Sequence, residues 1–250
     1  MSNAKTRTSA ASEPRERSAP AKRRARTRAG ESEGRSPSDD QRWVTFDCYG
    51  TLIDWNRGIR DVLADVFGED EADERLRRYH VIEPRLEHDG TRTYRQVLTD
   101  AMCEMGAPDR DTARLADSLP GWQPFPEVPD ALRAVRERGW RLAILSNTDR
   151  DYIDASMARI GVPFDLAIVA SEIGSYKPAH RHWEAFFART GADRAGHVHV
   201  AASLFHDIAP AADLKLRSIW INRLGERSPL PRLAELPDLA RLPGTLEALP

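Results

Sequence analysis

One stretch constrains this chain more than any other: Trp43–Trp55, WVTFDCYGTLIDW. Trp43-Val44-Thr45-Phe46 is aromatic and β-branched, and it ends at Asp47. Tyr49-Gly50-Thr51 breaks the run, and Leu52-Ile53-Asp54 resumes it. A short apolar run bounded by a Gly-containing turn reads as a buried strand. An acid at the C-terminal tip of such a strand stands where open α/β sheets place their chemistry. Asp47 is therefore the first candidate for a nucleophile.

The rest of the chain alternates. Apolar runs at Arg141–Leu145, Leu166–Ala170, His197–Ala202 and Ser218–Asn222 read as further strands. Helical periodicity separates them, with Gly139, Gly161 and Gly191 as stops. Strand and helix in regular alternation predict an α/β fold, a Rossmann-like parallel sheet with helices on both faces. Between residues 57 and 120 no strand signal intervenes. Ile59, Val62, Leu63 and Val66, then Leu76, Tyr79, Ile82 and Leu86, then Tyr94, Val97, Leu98 and Met102 recur at helical spacing. This predicts a helical insertion after the first strand. The expected organisation is a tail over 1–41, a core over 42–56 and 121–250, and the insertion over 57–120. The Pro-punctuated end of the chain, with Pro229, Pro231, Pro237 and Pro243, reads as loop and short helix.

Residues 1–41 are rich in Arg, Ser, Ala and Pro and lack apolar periodicity. Such a segment buries too little apolar surface to offset its chain entropy and is expected to be disordered. Its cluster Lys22-Arg23-Arg24-Ala25-Arg26 is read as a solvated tail in preference to a nucleic-acid contact. A formal charge of −2 points to no charged partner. Cys48 and Cys103 offer no disulfide framework, and no secretory apolar region precedes the first strand, so a cytoplasmic setting is expected. No apolar run approaches membrane-span length.

At or just after the expected strand tips stand Asp47, Ser146 and Asn147, Lys177, and Ser203 and Asp207. A carboxylate such as Asp47 can attack carbon or phosphorus. Thr51 and the loop amides can hold an anion. Lys177 can neutralise charge beside Asp47, and Ser146 and Asn147 can orient a small-molecule substrate. Asp207 can hold Lys177, position water, or share a metal with Asp47. Each alone has an ordinary structural explanation, as a cap, a turn or a solvated lysine. Their shared position on one sheet edge is what favours a site.

Asp47-Cys48-Tyr49-Gly50-Thr51-Leu52, Ser146-Asn147, Lys177-Pro178 and Asp207 resemble, in order and spacing, the four motifs of the haloacid dehalogenase-like superfamily. The resemblance spans roughly Trp43 to Arg223. It implies a Rossmann-like core with a helical cap after the first motif. It implies Asp47 as nucleophile, Lys177 as charge stabiliser, Asp207 completing the catalytic set, and Tyr49, Thr51, Ser146, Asn147 and Ser203 around the substrate. The superfamily's phosphatases carry a second acid two residues after the nucleophile, which protonates the departing alkoxide; Tyr49 stands there. They often add an acid after the position of Asp207, where Ile208, Ala209, Pro210 and Ala211 follow. Both features resemble the 2-haloacid dehalogenase branch: a halide leaves without a proton, so no acid is needed at position 49, and with no second acid after Asp207 no metal cofactor is expected. The alternatives are a Mg²⁺-dependent phosphatase, with Asp47 and Asp207 on the metal, and a non-catalytic binding protein. Two features depart from the branch. Ala202 and Leu204 replace its Ser and Asn ahead of Asp207. Its halide-binding arginine is matched by Arg78, with Arg57, Arg60 and Tyr94 as rivals. His206, beside Asp207, reads as a packing ring in preference to a general base, Cys48 as a packing residue, and Trp55, Tyr94, Trp122 and Trp183 as core or pocket aromatics. A homodimer paired through a cap helix is also implied.

Overall fold

The computed structural model describes residues 42–88 and 90–249. The basic tail lies outside the described residues. The strands are β1 (Trp43–Phe46), β2 (Arg141–Ser146), β3 (Leu166–Val169), β4 (His197–Ala201), β5 (Ser218–Ile221) and β6 (Ala234–Leu236). They form one sheet in the order β3-β2-β1-β4-β5-β6, parallel throughout. The chain leaves β1 for β2 and β3 on one side, then crosses to β4 on the other. The C-terminal tip of β1 is thus the topological switch point, where the flanking connections part and leave a crevice.

The insertion is helical, as its periodicity predicts: α1 (Trp55–Phe67), α2 (Glu69–Glu87), α3 (Tyr94–Glu104) and α4 (Arg114–Ser118) all fall between β1 and β2. Helix α1 begins two residues before the expected boundary, because the Asp54 carboxylate accepts from Arg57 N and caps it. Thr93 and Gln96 form a capping box that starts α3. The remaining helices are α5 (Val128–Glu137), α6 (Arg150–Ile160), α7 (Ala170–Ile173), α8 (Arg181–Thr190), α9 (Ala209–Asp213) and α10 (Leu242–Glu247). The chain end departs from expectation. Ala234–Leu236 is no loop but an edge strand on β5. Three residues are too few to show a period, and Pro231 and Pro237 flank them.

Strand alternation splits β1 between two cores. Val44 and Phe46 join Leu132 and Val135 of α5 and Ile153 of α6. Ile59, Tyr79 and Val97 of the insertion belong to the same cluster. Trp43 faces the other way, with Leu145, Ala211 of α9, and Trp183 and Phe186 of α8. Helices therefore cover both faces. Thr45 shares the Trp43 face, and the register sets it beside His199. Cys48 is buried in the first cluster, as a packing residue should be.

Gly58 in α1 lets the insertion approach the core closely. A Cβ there would lie 2.5 Å from the Trp122 indole ring, whose edge meets Tyr49. Gly58→Ala gains up to about 1 kcal/mol of helix propensity, but the clash costs about 1–3 kcal/mol. Net destabilisation is expected in urea unfolding. A more stable variant would show that this contact does not limit the packing.

Candidate active site

Asp47 follows the last residue of β1, and its amide still donates to Val200 O of β4 at 3.1 Å. The backbone is thus fixed on both sides of the carboxylate. Oδ1 accepts from Lys177 Nζ at 2.8 Å and Oδ2 from Thr51 Oγ1 at 2.8 Å. Thr51 Oγ1 in turn accepts from Ala202 N at 2.9 Å, so the hydroxyl proton is directed at Asp47. Lys177 Nζ also donates to Asp207 Oδ1 at 2.7 Å and Leu145 O at 2.9 Å. All three ammonium protons are therefore used, at a side chain only 1% exposed. Burial opposes the charge on Lys177, but Asp207 and Asp47 outweigh it and raise its pKa. Burial, with Asp207 nearby, pushes the Asp47 carboxyl up against the pull of Lys177. Burial also opposes ionisation of Asp207, yet the Lys177 charge and a hydrogen bond from His199 hold it well below its ordinary value.

That histidine begins a buried chain with one self-consistent proton arrangement. His199 Nε2 lies 3.0 Å from Asp207 Oδ1. An ionised carboxylate only accepts, so Nε2 carries the proton. With that one proton on Nε2, Nδ1 accepts from Thr45 Oγ1 at 2.8 Å. Thr45 Oγ1 is left to accept from His197 Nε2, also at 2.8 Å. His197 Nδ1 ends as a bare lone pair, which agrees with its having no partner. Burial holds the His197 pKa well below its usual value, so the ring is neutral. None of these three residues was singled out from the sequence. The available signal was His197-Val198-His199-Val200, polar at every second residue of a fully buried strand.

A cavity of about 810 Å³ opens over the sheet tips. Asp47, Ser146, Lys177 and Asp207 line it from the sheet, and Glu83, Glu87 and Tyr94 from the insertion. Ser146 Oγ is buried and has no hydrogen-bond partner among the described residues. Asn147 Oδ1 accepts from Lys177 N at 2.6 Å, and its Nδ2 donates to Lys177 O at 2.9 Å and Glu87 Oε2 at 3.1 Å. It therefore positions the Lys177 backbone and links it to α2. Ser203 lines the cavity and also caps the turn at Leu204–Ile208, accepting from His206 N. Tyr49 lines it too, stacked on Tyr94. Its hydroxyl pairs with Ser156 Oγ at 3.0 Å, and burial holds its pKa well above the ordinary value. His206 packs edge-on against Phe205, and burial lowers its pKa to about 4.

Several expected site residues stand elsewhere. Arg78 is not a cavity residue: it lies on the exposed face of α2 and donates to Glu104 O. Arg57 and Arg60 likewise face outward, paired with Asp61 and with Glu69 and Asp73. Thr51 is fully buried and does not line the cavity; it acts on Asp47 instead. Trp122 and Trp183 are core, while Trp55 and Tyr94 line the cavity. Arg223, not singled out from the sequence, does line it, and donates to Thr51 O and Glu127. The donor set does not fit a metal shared by Asp47 and Asp207. Lys177 Nζ occupies the position between them, and no group of three or more metal-ligating side chains converges among the described residues.

The sequence model of haloacid dehalogenase-like hydrolases matches residues 41–214, the span that holds Asp47, Ser146, Lys177 and Asp207. The chain belongs to this family. This hydrolase is 30% identical over 197 residues to (S)-2-haloacid dehalogenase of Pseudomonas sp. (strain YL), covering 73% of this chain and 83% of that one. It is 29% identical over 227 residues to (S)-2-haloacid dehalogenase 1 of Pseudomonas sp. (strain CBS-3), covering 83% and 97%. Among solved structures, L-2-haloacid dehalogenase from Xanthobacter autotrophicus with chloropropionic acid covalently bound superposes with a TM-score of 0.69 at 19% identity, over 84% of this chain and 99% of that one. At that identity the likeness is one of fold. No helix among the described residues of this hydrolase is long and apolar enough to cross a membrane.

Thr45→Val removes the hinge of the buried chain and leaves His199 Nδ1 and His197 Nε2 unpaired. A loss of about 1–3 kcal/mol is expected in denaturant unfolding. Thr45→Ser keeps the hydroxyl and should restore most of it. Equal stability of Val and Ser variants would show the hydrogen bonds to be energetically idle.

Proposed function

We propose that this hydrolase cleaves the carbon–halogen bond of a 2-haloacid and releases a 2-hydroxyacid. The observation that carries this is the proton inventory beside the nucleophile. Asp47 is held at both oxygens, and the residue two positions on, Tyr49, has a hydroxyl tied to Ser156 with a raised pKa. A halide leaves without a proton and suits such a site; an alkoxide does not. Curated relatives at 29–30% identity carry the same activity in their names. The phosphatase alternative loses support on the same ground, and because Lys177 replaces the shared metal.

In the first step an Asp47 oxygen attacks C2 of the substrate. The C–X bond breaks, the halide departs with the electron pair, and C2 inverts. Lys177 moderates the charge on Asp47, and the unpartnered Ser146 hydroxyl donates to the substrate carboxylate. In the second step water attacks Cγ of the Asp47 ester. The hydroxyacid keeps the ester oxygen, the Asp47 carboxylate is restored with one oxygen from water, and one proton goes to solvent. Asp207 Oδ2, buried and without a partner, is the acceptor that orients this water. Helices α1–α4 serve as the cap. The enzyme works in the cytoplasm, with Cys48 and Cys103 as free thiols, and pairs as a homodimer that gel filtration would reveal.

Single turnover on 2-chloropropionate in heavy-oxygen water should place label in Asp47, read by peptide mass spectrometry. Label found only in product would rule out the ester route. Halide release should persist in EDTA, and Asp47→Asn should reduce it by at least about 10³-fold. The nucleophile works ionised, and its folded pKa is raised. Activity is therefore full at higher pH and is lost as pH falls through that value, so the acid limb of kcat/KM should lie above 3.8. A limb at or below that value would show that Asp47 is not the titrating group.

A further inference from the structure

The cavity is short of positive charge on its insertion side. Glu83 and Glu87 stand one turn apart on the buried face of α2, 6% and 4% exposed. Both line the cavity that holds Asp47 and Asp207. Lys177 is already shared by those two aspartates, and Arg223 is turned to Glu127 and Thr51. Among the described residues, no Lys or Arg lies within ion-pair distance of Glu83 or Glu87. The nearest ionisable nitrogen is His206 Nε2, 3.6 Å from Glu87 Oε2, on a ring held neutral at pH 7. Burial pushes Glu83 up to about 7 and Glu87 well above its ordinary value. A buried carboxylate without a counter-charge is costly, and the cost falls when a cation arrives.

Four further observations say what that cation accompanies. Glu83 is presented as an acceptor, because Trp55 Nε1 donates to Tyr94 Oη at 3.3 Å and Tyr94 Oη donates to Glu83 Oε1 at 3.0 Å. Trp55 and Tyr94 also line the cavity, giving the acids aromatic neighbours of the kind cations favour. At the other end, Ser146 Oγ is 1% exposed, unpartnered and on the wall of the same cavity. The volume, about 810 Å³, falls in the range of sites for molecules far larger than a three-carbon acid.

We propose that Glu83 and Glu87 are specificity-determining residues that receive a primary ammonium on the tail of the substrate, whose carboxylate end lies toward Ser146 and Lys177. This rests on the proposed dehalogenase function and names its substrate class: extended 2-haloacids with a terminal ammonium, not short unsubstituted ones. It assigns α2 a recognition role through these acids, with Arg78 turned away from the cavity.

Calorimetry with non-halogenated probes tests the recognition without chemistry. Wild type should bind the ω-amino acids from 4-aminobutanoate to 6-aminohexanoate, at its best length, at least about tenfold more tightly than the alkanoate of equal length, since a charge-assisted hydrogen bond is worth that much. Glu83→Gln and Glu87→Gln should each remove most of the preference. Equal or tighter binding of the alkanoates by wild type overturns the proposal, whatever the variants do. A preference retained in both variants overturns the assignment to these residues. The wild-type comparison stands even if a variant fails to fold. Halide release from 2-bromo-6-aminohexanoate and 2-bromohexanoate reads the other level. If neither releases halide while the ammonium preference holds, the dehalogenase function fails and the cation site stands. If both react with equal kcat/KM and bind equally, the function stands and the cation site fails.

Discussion

The site depends on one ammonium group. Lys177 Nζ, buried beneath the cavity, donates to the carboxylates of Asp47 and Asp207 and to the carbonyl of Leu145. Those partners follow β1, follow β4 and sit in β2, so the contact ties three strand ends together at the switch point of the sheet. Without the ammonium, two buried carboxylates would face each other with no counter-charge, which costs about 3–5 kcal/mol for a broken buried pair. Without the carboxylates, the lysine would be neutral or displaced. Nucleophile and charge stabiliser are thus a single folded unit, and neither is in place unless the sheet is registered correctly.

The buried histidine chain extends that unit to the far face of the sheet. Asp207 Oδ1 takes hydrogen bonds from Lys177 and from His199, which leaves Oδ2 for the cavity. The Asp207 carboxylate fixes the proton on His199 Nε2, and the Thr45 and His197 arrangement follows from it. Thr45 and His199 are register partners on adjacent strands, so the pairing that builds the sheet also orients the acid at its tip.

Most of this edge was legible in the sequence, because each strand ends in an abrupt change from apolar to polar residues. Asp47, Ser146, Lys177 and Asp207 could be placed from those breaks alone, and the family motifs agree with them. The insertion was harder to read, and helix phase is the reason. Tyr79, Ile82 and Leu86 define the buried stripe of α2. Arg78 stands one residue off that stripe and turns to solvent. Glu83 and Glu87, each four residues on from the last, fall on it after Tyr79. Matching the family's halide-binding arginine picked Arg78 and passed over the acids, although the stripe already placed Glu83 and Glu87 inward. The histidines of β4 were missed for a related reason: a polar residue inside a buried strand has meaning only once its cross-strand partner is known. Strand β6 is too short to carry any period.

The two ends of the cavity therefore differ in electrostatic character. At the sheet, Asp47 and Asp207 share the Lys177 ammonium, and the Ser146 hydroxyl is left to donate to a substrate carboxylate. At α2, Glu83 and Glu87 have no such cation among the described residues, and burial raises the pKa of both, so a cationic donor is drawn in. In the proposed substrate the ammonium end lies at α2 and the carboxylate end at the strand tips, beside Asp47. Helix α2 thus contributes to the chemistry from a distance, through the charge it withholds as much as through the side chains it presents.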